Sequence, residues 1–265
     1  MILSTLSTTS LEDVRKAAPH AVLWYQLYIL PDRELSRRLV KRAERAGYSA
    51  VVLTVDSPTL GRKFSDVREH FRVPSHLEWA NFNAKEQASM TLCGSDLHVF
   101  GKSLLDPSLT WTDVQWLKNI TQLPVILKGI LTGKSFFSDA VLAVRSGIPA
   151  IIVSNHGGRQ LDGVASTIEI LPEIMRAVYG HIDVYLDGGI RQGTDVVKAL
   201  ALGAKMVFVG RPALWGLAYK GQQGVEEMLQ IFRDEIDRAM ALMGCPTLAD
   251  LQPQMVARRE YYASL

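Results

Sequence analysis

A histidine and an arginine lie three residues apart in a short polar segment that follows an apolar run of the sequence. The run Ala150–Asn155 is typical of a buried parallel strand, and it leads directly into His156, two glycines and Arg159. Histidine is the side chain most easily tuned for proton transfer near neutral pH, and arginine offers a planar fork that fits a carboxylate. We therefore expect acid–base chemistry on a carboxylate here. The alternative is a helix-capping loop with a chance histidine.

Polar residues also end the other apolar runs after the first. In chain order these polar ends are Gln26 and Tyr28, Thr54 and Asp56, Lys128, Asp187 to Gly189 with Arg191, and Gly210 with Arg211. Side chains two residues apart in a strand point to the same side, so the paired residues should share a face. Because chemistry in parallel α/β folds lies at the carboxyl ends of the strands, we expect these groups to surround one site.

The charged members of this set suggest which anions the site takes. Lys128 ends an apolar strand, where a cation is costly to bury unless it meets an anion. The alternative is an ion pair with Asp56 or Asp187. Arg191 and Arg211 follow the last two strands, where barrels often bind phosphate. Ordinary surface arginines are the alternative for this pair.

The elements that position these residues alternate along the chain. Strands are expected at Ile2–Leu6, Val22–Tyr28, Ala50–Asp56, Pro124–Gly129, Ala150–Asn155, Asp183–Gly189 and Lys205–Gly210. Helices are expected at Asp32–Ala46, Thr112–Thr121, Ser138–Ser146, Thr167–Val178, Gly193–Leu202, Gly224–Met243 and Thr247–Arg258. Such alternation indicates βαβ units and a parallel sheet, and hence an α/β fold. A closed barrel of this class has eight strands, so either one strand is missing or the sheet is open.

Length and composition limit the classes of function. The 265 residues suit a single barrel domain over residues 1–265, since such a barrel takes about 250 residues. A net charge of +2 does not favour a nucleic-acid surface, and no apolar run approaches the roughly 18 residues of a membrane span. The two cysteines show no metal-binding spacing. Residues 61–110 have poor periodicity and are expected to form a long functional or mobile loop, with a disordered insertion as the alternative.

Taken together, these motifs resemble those of the FMN-dependent (S)-2-hydroxy-acid oxidases, a family that includes glycolate oxidase. The matching segments are W-Y-Q-L-Y, L-T-V-D-S-P-T-L-G-R, L-K-G-I-L-T, I-I-V-S-N-H-G-G-R-Q-L-D, Y-L-D-G-G-I-R-Q-G-T-D and V-F-V-G-R-P. The segment S-N-H-G-G-R-Q-L-D is highly specific, and the resemblance covers nearly the whole chain. It implies a TIM (β/α)8-type barrel with FMN and no metal. The implied reaction oxidises a 2-hydroxy acid to a 2-oxo acid and reduces O2 to hydrogen peroxide.

The resemblance also implies a role for each matching residue. His156 resembles the base that takes a proton from the substrate, and Asp56 the carboxylate that orients and stabilises the resulting imidazolium. Arg159 resembles the main anchor of the substrate carboxylate, and Tyr28 a hydroxyl that contacts the substrate. Lys63 occupies a substrate-binding position where a second arginine is usual. The residues implied in cofactor binding are Ser4, Gln26, Thr54, Lys128, Ser154, Asp187, Gly188, Gly189, Ile190, Arg191, Gly210 and Arg211.

The chain departs from the family pattern most at its N-terminus. The family pattern begins earlier, with the first barrel strand, a flavin-contacting turn and another substrate-binding tyrosine. A barrel without its first strand has two unpaired edges, so we expect this chain by itself to bind FMN weakly and to be poorly stable. Leu6 replaces a tryptophan that is frequent in glycolate oxidases, which suggests a longer or more apolar substrate.

Two other functions remain open on the sequence alone. One is a flavin-dependent 2-hydroxy-acid dehydrogenase that uses another electron acceptor. The other is a catalytically impaired form that acts only by association with a longer subunit. By resemblance we expect a homo-oligomer, a tetramer, and the composition favours neither nucleic-acid nor membrane partners. The resemblance also implies a peroxisomal location, but the terminal Ala263-Ser264-Leu265 is a poor targeting signal, so the cytoplasm is the alternative.

Overall fold

The chain folds into two compact units. The computed structural model describes residues 1–61, 64, 68, 73–91, 105–135 and 138–257. The first unit comprises Met1–Gly129, Ser146–Pro149 and Arg159–Asp162, and the second comprises Ile130–Arg145, Ala150–Gly158 and Gly163–Leu265. The expectation of a single domain over residues 1–265 stays a prediction.

Four parallel strands follow one another in sequence order in the first unit. They are β1 (Ile2–Leu3), β2 (Trp24–Leu27), β3 (Ala50–Thr54) and β4 (Val125–Ile130). The helices described with them are α1 (Leu11–Ala17), α2 (Arg33–Arg45), α3 (Ala84–Thr91) and α4 (Trp111–Ile120). The register pairs Tyr25 with Val51 and Val51 with Val125. All five residues of β3 are buried, which explains why this strand is a continuous apolar run rather than an alternating one.

Helix α2 shows why the expected helical segments form. The Asp32 side chain accepts hydrogen bonds from the amides of Glu34 and Leu35, so two of the unpaired N-terminal donors are satisfied. Leu39 and Ala43 are one turn apart on its buried face. Of its arginines, Arg38 and Arg45 are exposed, whereas Arg33 and Arg42 are half-buried and form ion pairs with carboxylates of other segments.

Three parallel strands, again in sequence order, form the sheet of the second unit. They are β5 (Ala150–Val153), β6 (Asp183–Asp187) and β7 (Met206–Phe208). The helices are α5 (Asp139–Arg145), α6 (Thr167–Val178), α7 (Gly193–Ala201) and α8 (Arg211–Met243), followed by 3-10 turns at Leu248–Asp250 and Pro253–Met255. Helix α8 packs against α7 through a core cluster of Val197, Ala201, Ala239, Met240, Cys245 and Leu251.

The expected strands are all present, and each is shorter than expected or shifted by a residue at its ends. Two helices were not expected, α1 and α3, because both are short, although each has a cap: Ser10 accepts the Asp13 amide in α1, and Asn83 and Glu86 bond reciprocally at the start of α3. Helix α8 begins at Arg211 rather than Gly224, and its two straight parts meet at Lys220 and Gly221, which have non-helical dihedral angles. The prediction of a helix over Thr247–Arg258 is wrong for its described part, residues 247–257, which contains two 3-10 turns instead. Pro253 cannot donate the backbone hydrogen bond that a continuous helix needs there.

The long loop expected over residues 61–110 is only partly described. Helix α3 lies within it, and residues 62–63, 65–67, 69–72 and 92–104 lie outside the described residues. Its expected mobility therefore stays a prediction. In the described part of the chain, no helix combines the length and the apolar character needed to cross a membrane.

Candidate functional site

The sequence-predicted site residues lie at or just after the carboxyl ends of strands in each unit. In the first unit they are Ser4, Gln26, Tyr28, Thr54, Asp56 and Lys128, joined by Arg159 from the returning segment. In the second unit they are Ser154, His156, Asp187 to Arg191, Gly210 and Arg211. Lys63 lies outside the described residues. Parallel strands therefore place the chemistry of each unit at one edge of its sheet.

Asp56 and Tyr28 lie close together in the first unit. The hydroxyl of Ser57 donates a 2.9 Å hydrogen bond to Oδ1 of Asp56 and also hydrogen-bonds to Tyr28. Burial, followed by the negative charge of Asp56, raises the pKa of Tyr28 from 10.0 to about 12. The positive charge of Arg159 acts in the opposite direction on the same pKa. Tyr28 is therefore a neutral hydroxyl at physiological pH.

Gly129 leaves the space that the Asp56 side chain occupies. A Cβ at Gly129 would lie 2.6 Å from Cβ of Asp56, and the φ of Gly129 is +113°. Both facts exclude an ordinary side chain at this position of β4. Asp56 is thus positioned by the neighbouring strand as well as by its own.

Gln26 belongs to a buried polar network that links three segments of the first unit. Its Oε1 accepts the amide of Thr5 at 3.1 Å, and its Nε2 donates to Oγ1 of Thr54 at 3.0 Å. The Thr5 hydroxyl donates to the carbonyl of Gln26 at 2.5 Å. These bonds fix the orientation of the Gln26 amide. Ser4 is not part of the network, because its side chain is exposed and accepts the amide of Leu6 at 3.1 Å.

His156 has a left-handed backbone in the second unit. Its φ is +56°, and Gly157 and Gly158 follow with φ of +66° and +73°. Among non-glycine residues this region is rare and costs free energy, although histidine is enriched there. The His156 amide donates to Oγ of Ser154 at 3.1 Å, and the Gly158 amide donates to the Asn155 carbonyl at 2.9 Å. The turn after β5 is thus held in a strained conformation that displays His156 at the end of the strand.

Arg211 contacts this turn from the first residue of α8. Its Nη2 donates to the carbonyl of Gly157 at 2.5 Å. The N-cap of α8 is Gly210, which has no side chain to satisfy the first helical amides, and a Cβ there would meet no atom within 4 Å. An open helix N-terminus beside a guanidinium is a suitable place for a phosphate.

The turn after β6 is shaped by two glycines. A Cβ at Gly188 would lie 2.8 Å from Oδ1 of Asn155, and the Gly188 carbonyl accepts the hydroxyl of Thr167 at 3.0 Å. At Gly189, where φ is +81°, a Cβ would meet no atom within 4 Å. The side chain of Ile190 is buried. The Arg191 guanidinium lies 5.8 Å from the centre of the Trp215 ring, a cation–π distance.

Each unit, taken by itself, has residues that suit one part of the FMN cofactor. The second unit provides an open helix N-terminus, two arginines and a glycine turn, which suit the phosphate and the ribityl chain. The first unit provides the buried amide of Gln26 and the hydroxyl of Thr54, whose hydrogen-bonding groups suit the polar edge of a flavin ring. Lys128 follows them at the end of β4 as a cation.

Sequence reasoning missed the residues that support the predicted ones. Thr5, Ser57, Asn155 and Gln160 each bond to or abut a predicted residue. Gln160 is part of the specific motif R-Q-L-D, but its position in the sequence does not indicate what it does. Its role is indicated by its contacts in the folded structure.

Comparison with protein families identifies what the chain resembles. The model of the FMN-dependent dehydrogenase family matches residues 1–258. Among curated proteins, 2-hydroxyacid oxidase 1 of Mus musculus is 49% identical over 97% of this chain and 70% of its own length. Glycolate oxidase 3 of Oryza sativa subsp. indica is 50% identical over 95% of this chain and 67% of its own length.

The solved structures agree with these relatives. Mandelate oxidase with (S)-4-hydroxymandelic acid has a TM-score of 0.86 and 42% sequence identity, covering 95% of this chain and 69% of that one. This similarity confirms the expected fold class, the α/β barrel of the flavin enzymes, with seven parallel strands in the described part of the chain.

Proposed function

Because the chain belongs to the FMN-dependent dehydrogenase family, we propose that it is an FMN-dependent oxidase that converts a 2-hydroxy acid to a 2-oxo acid and reduces O2 to hydrogen peroxide. The observation that carries this proposal is the 49% identity to a 2-hydroxyacid oxidase over 97% of the chain. FMN, when bound, accepts two electrons from the α-carbon of the acid and passes them to O2.

His156 is the group that we assign to proton removal. The oxidation releases two protons from the acid, and a positioned imidazole is the usual acceptor near neutral pH. The left-handed turn supports this role, since strained conformations of non-glycine residues cluster at functional sites. Asp56 is the carboxylate that we assign to stabilising the positive charge that the proton creates.

Arg159 is the group that we assign to the substrate carboxylate. Arg159 is an exposed residue, so it is accessible to a solute. It also lies near enough to Tyr28 to influence the pKa of that hydroxyl. A guanidinium and a neutral hydroxyl together can donate hydrogen bonds to both ends of a 2-hydroxy carboxylate. Lys63, beyond the described residues, stays a predicted second cation for the same anion.

The cofactor-binding residues are proposals of the same kind. Arg191, Gly210 and Arg211 would hold the phosphate, and Asp187 with Gly188, Gly189 and the Ile190 backbone would bond the ribityl chain. Gln26, Thr54, Lys128, Ser154 and Ser4 would contact the flavin ring and the adjoining ribityl atoms. Lys128 would stabilise the negative charge that reduction places on the ring.

Flavin spectroscopy tests the proposed function. The purified chain, loaded with FMN, should lose its visible flavin absorbance when an (S)-2-hydroxy acid is added without oxygen. Absorbance should return when O2 is admitted, with formation of hydrogen peroxide. The (R)-enantiomer of the same acid is the matched control. A panel from glycolate to longer apolar acids would also test whether Leu6 favours larger substrates. If no acid in the panel reduces the flavin, the proposal is wrong.

We further propose that the protein is a homo-tetramer located in the peroxisome. In favour of self-association, the first part of α8 has four large apolar or aromatic side chains that are each more than half exposed, Leu214, Trp215, Leu217 and Tyr219. The location rests on the resemblance to the family. Light scattering after size-exclusion chromatography tests the oligomeric state. Microscopy of the chain with an N-terminal fluorescent tag tests the location, with a cytoplasmic signal as the contradicting result.

A further inference from the structure

The side chain of Gln160 bonds three backbone groups of the loop that follows β3. Its Nε2 donates to the carbonyl of Asp56 at 3.0 Å and to the carbonyl of Thr59 at 2.9 Å. Its Oε1 accepts the amide of Gly61 at 2.9 Å. In the sequence, Gln160 follows Asp56 by 104 residues and Thr59 by 101 residues. We call these three bonds the Gln160 bridge.

A glutamine amide matches this bridge chemically. It has two N–H donors and one oxygen acceptor, and the bridge uses both donors and the acceptor. A carboxylate of the same length would place an anion against two carbonyl oxygens. An apolar side chain of the same length would leave two carbonyls and one amide without this partner.

Gly61 brings the two backbones together at the same point. A Cβ on Gly61 would lie 2.1 Å from the carbonyl oxygen of Arg159 and 2.7 Å from Cα of Gln160. The loop after β3 and the Arg159–Asp162 segment are therefore in direct backbone contact, and the bridge adds directional bonds to that contact.

The bridge connects residues that have separate proposed roles. Asp56 contributes one of the bonded carbonyls, and Arg159 is the residue directly before Gln160. Tyr28 responds electrostatically to both Asp56 and Arg159. Any rotation of the loop would therefore change the spacing of the carboxylate, the guanidinium and the hydroxyl together.

We infer that Gln160 is a positioning residue, which sets the distance between Asp56 and the carboxylate anchor Arg159 through the backbone. This inference rests on the proposed function, since it concerns the geometry of that reaction. A misplacement of about 1 Å far from the chemistry can cost on the order of 100-fold in rate, so three backbone bonds beside two residues of the proposed site are a sensitive point.

Two variants of nearly equal size test the bridge. Gln160→Met removes all three bonds and keeps the length of the side chain. Gln160→Glu keeps the shape and introduces a carboxylate that regains one donor only when protonated. Gln230→Met is the matched control, because the Gln230 amide bonds to Asp234 of the same helix, at 2.7 Å on the exposed surface of α8.

The measurements separate positioning from folding. For each FMN-loaded variant we would measure the rate of flavin reduction at saturating acid, the dissociation constant of the 2-oxo acid, the melting temperature and hydrogen exchange at the Gly61 amide. Gln160→Met should lower the reduction rate and weaken 2-oxo acid binding, each by about 10-fold or more. Its Gly61 amide should exchange faster, and its FMN affinity should match that of Gln230→Met. The deficit of Gln160→Glu should shrink as the pH falls, whereas that of Gln160→Met should not.

The contrary results are equally specific. A lower melting temperature with unchanged reduction and unchanged 2-oxo acid binding would show a structural role only and overturn the inference. Unchanged exchange at Gly61 would show that the bridge does not exist in solution. If the wild-type chain is not reduced by any 2-hydroxy acid, the proposed function fails. Exchange at Gly61 and 2-oxo acid binding then decide the inference by themselves.

Discussion

His156 is the residue on which the proposed chemistry depends most. The imidazole follows β5 in a left-handed turn, and the turn is bonded to Ser154 on one side and to Arg211 on the other. These bonds hold the backbone of the turn, so the position from which the imidazole extends changes little when a substrate binds. This preorganisation is what a general base needs.

His156→Gln should reduce the rate of flavin reduction by about 100- to 10,000-fold, because that is the usual contribution of a general base. FMN binding should persist, since glutamine can occupy the same space. Anaerobic stopped-flow spectroscopy at the flavin band measures the rate. His181→Gln, at an exposed position before β6, is the control and should behave like the wild type. Retention of most of the rate would remove His156 from the mechanism.

Arg159→Lys should weaken binding of the 2-hydroxy acid much more than binding of FMN. Lysine keeps the charge but loses the planar fork that bonds both oxygens of a carboxylate. Steady-state KM and an equilibrium titration with the 2-oxo acid measure the effect, with Arg176→Lys on the exposed side of α6 as the control. An unchanged affinity for the acid would mean that its carboxylate binds elsewhere.

Tyr28 should make the protein less stable at high pH. Burial and the charge of Asp56 raise the pKa of Tyr28 in the folded state to about 12, compared with 10.0 for an ordinary tyrosine. Because this tyrosine ionises at a lower pH in the unfolded chain than in the folded one, the free energy of unfolding keeps its full value below about pH 10. It falls as the pH rises toward 12.

Urea unfolding at several alkaline pH values measures this loss. Between about pH 10 and pH 12, the free energy of unfolding should fall by on the order of 2 kcal/mol more in the wild type than in Tyr28→Phe. Tyr219→Phe, at an exposed position in α8, controls for the removal of a phenol. Parallel pH curves for the wild type and Tyr28→Phe would contradict the prediction.

At the scale of the element, α8 shows how two glycines permit a tight bend. The helix changes direction at Lys220 and Gly221, and Gly216 and Gly224 come together across the bend. A Cβ on Gly224 would lie 2.0 Å from the carbonyl oxygen of Gly216. The bend separates the part of α8 that begins at Arg211 from the part that packs on α7.

Gly224→Ala should therefore destabilise the protein by roughly 1–3 kcal/mol through overpacking. The sign is informative, because the same substitution in an ordinary helix interior stabilises by about 1 kcal/mol. Differential scanning calorimetry of the FMN-free chain measures the difference. A higher melting temperature for Gly224→Ala would show that the two backbones are not in contact.

At the scale of the whole molecule, cofactor binding and folding should be linked. FMN can bond groups that only the folded chain brings together, such as Gly188, Gly210 and Arg211 in the second unit. A ligand that binds only the folded state stabilises it by an amount that rises with the logarithm of its concentration.

The melting temperature should thus rise steadily as FMN is added. At a free FMN concentration of about 100 times the dissociation constant, the free energy of unfolding should be about 2.7 kcal/mol higher than without FMN. Riboflavin, which lacks the phosphate, is the matched ligand and should stabilise less. In Arg211→Ala the difference between FMN and riboflavin should shrink, whereas Arg233→Ala on the exposed surface of α8 should preserve it. Equal effects of FMN and riboflavin on the wild type would contradict the phosphate assignment.

The sequence by itself determined the order of the strands, the identity of the polar residues that end them and the family. Apolar runs and the motif S-N-H-G-G-R-Q-L-D are local patterns, so they are visible without a structure. The same is true of helix α6, whose bounds were predicted correctly at Thr167–Val178. Helices α1 and α3 were not predicted from the sequence, because short helices depend more on tertiary packing than on local preference.

Only the tertiary structure decided which groups support the site. The Gln160 bridge joins segments about one hundred residues apart, and the space for Asp56 depends on Gly129 of a neighbouring strand. The left-handed conformation of His156 also depends on bonds to Ser154 and, through Gly157, to Arg211. Such contacts depend on distances in space, and a periodic pattern along one chain has no information about them. The strand ends could therefore be predicted from the sequence, whereas the bonds that orient their side chains could not.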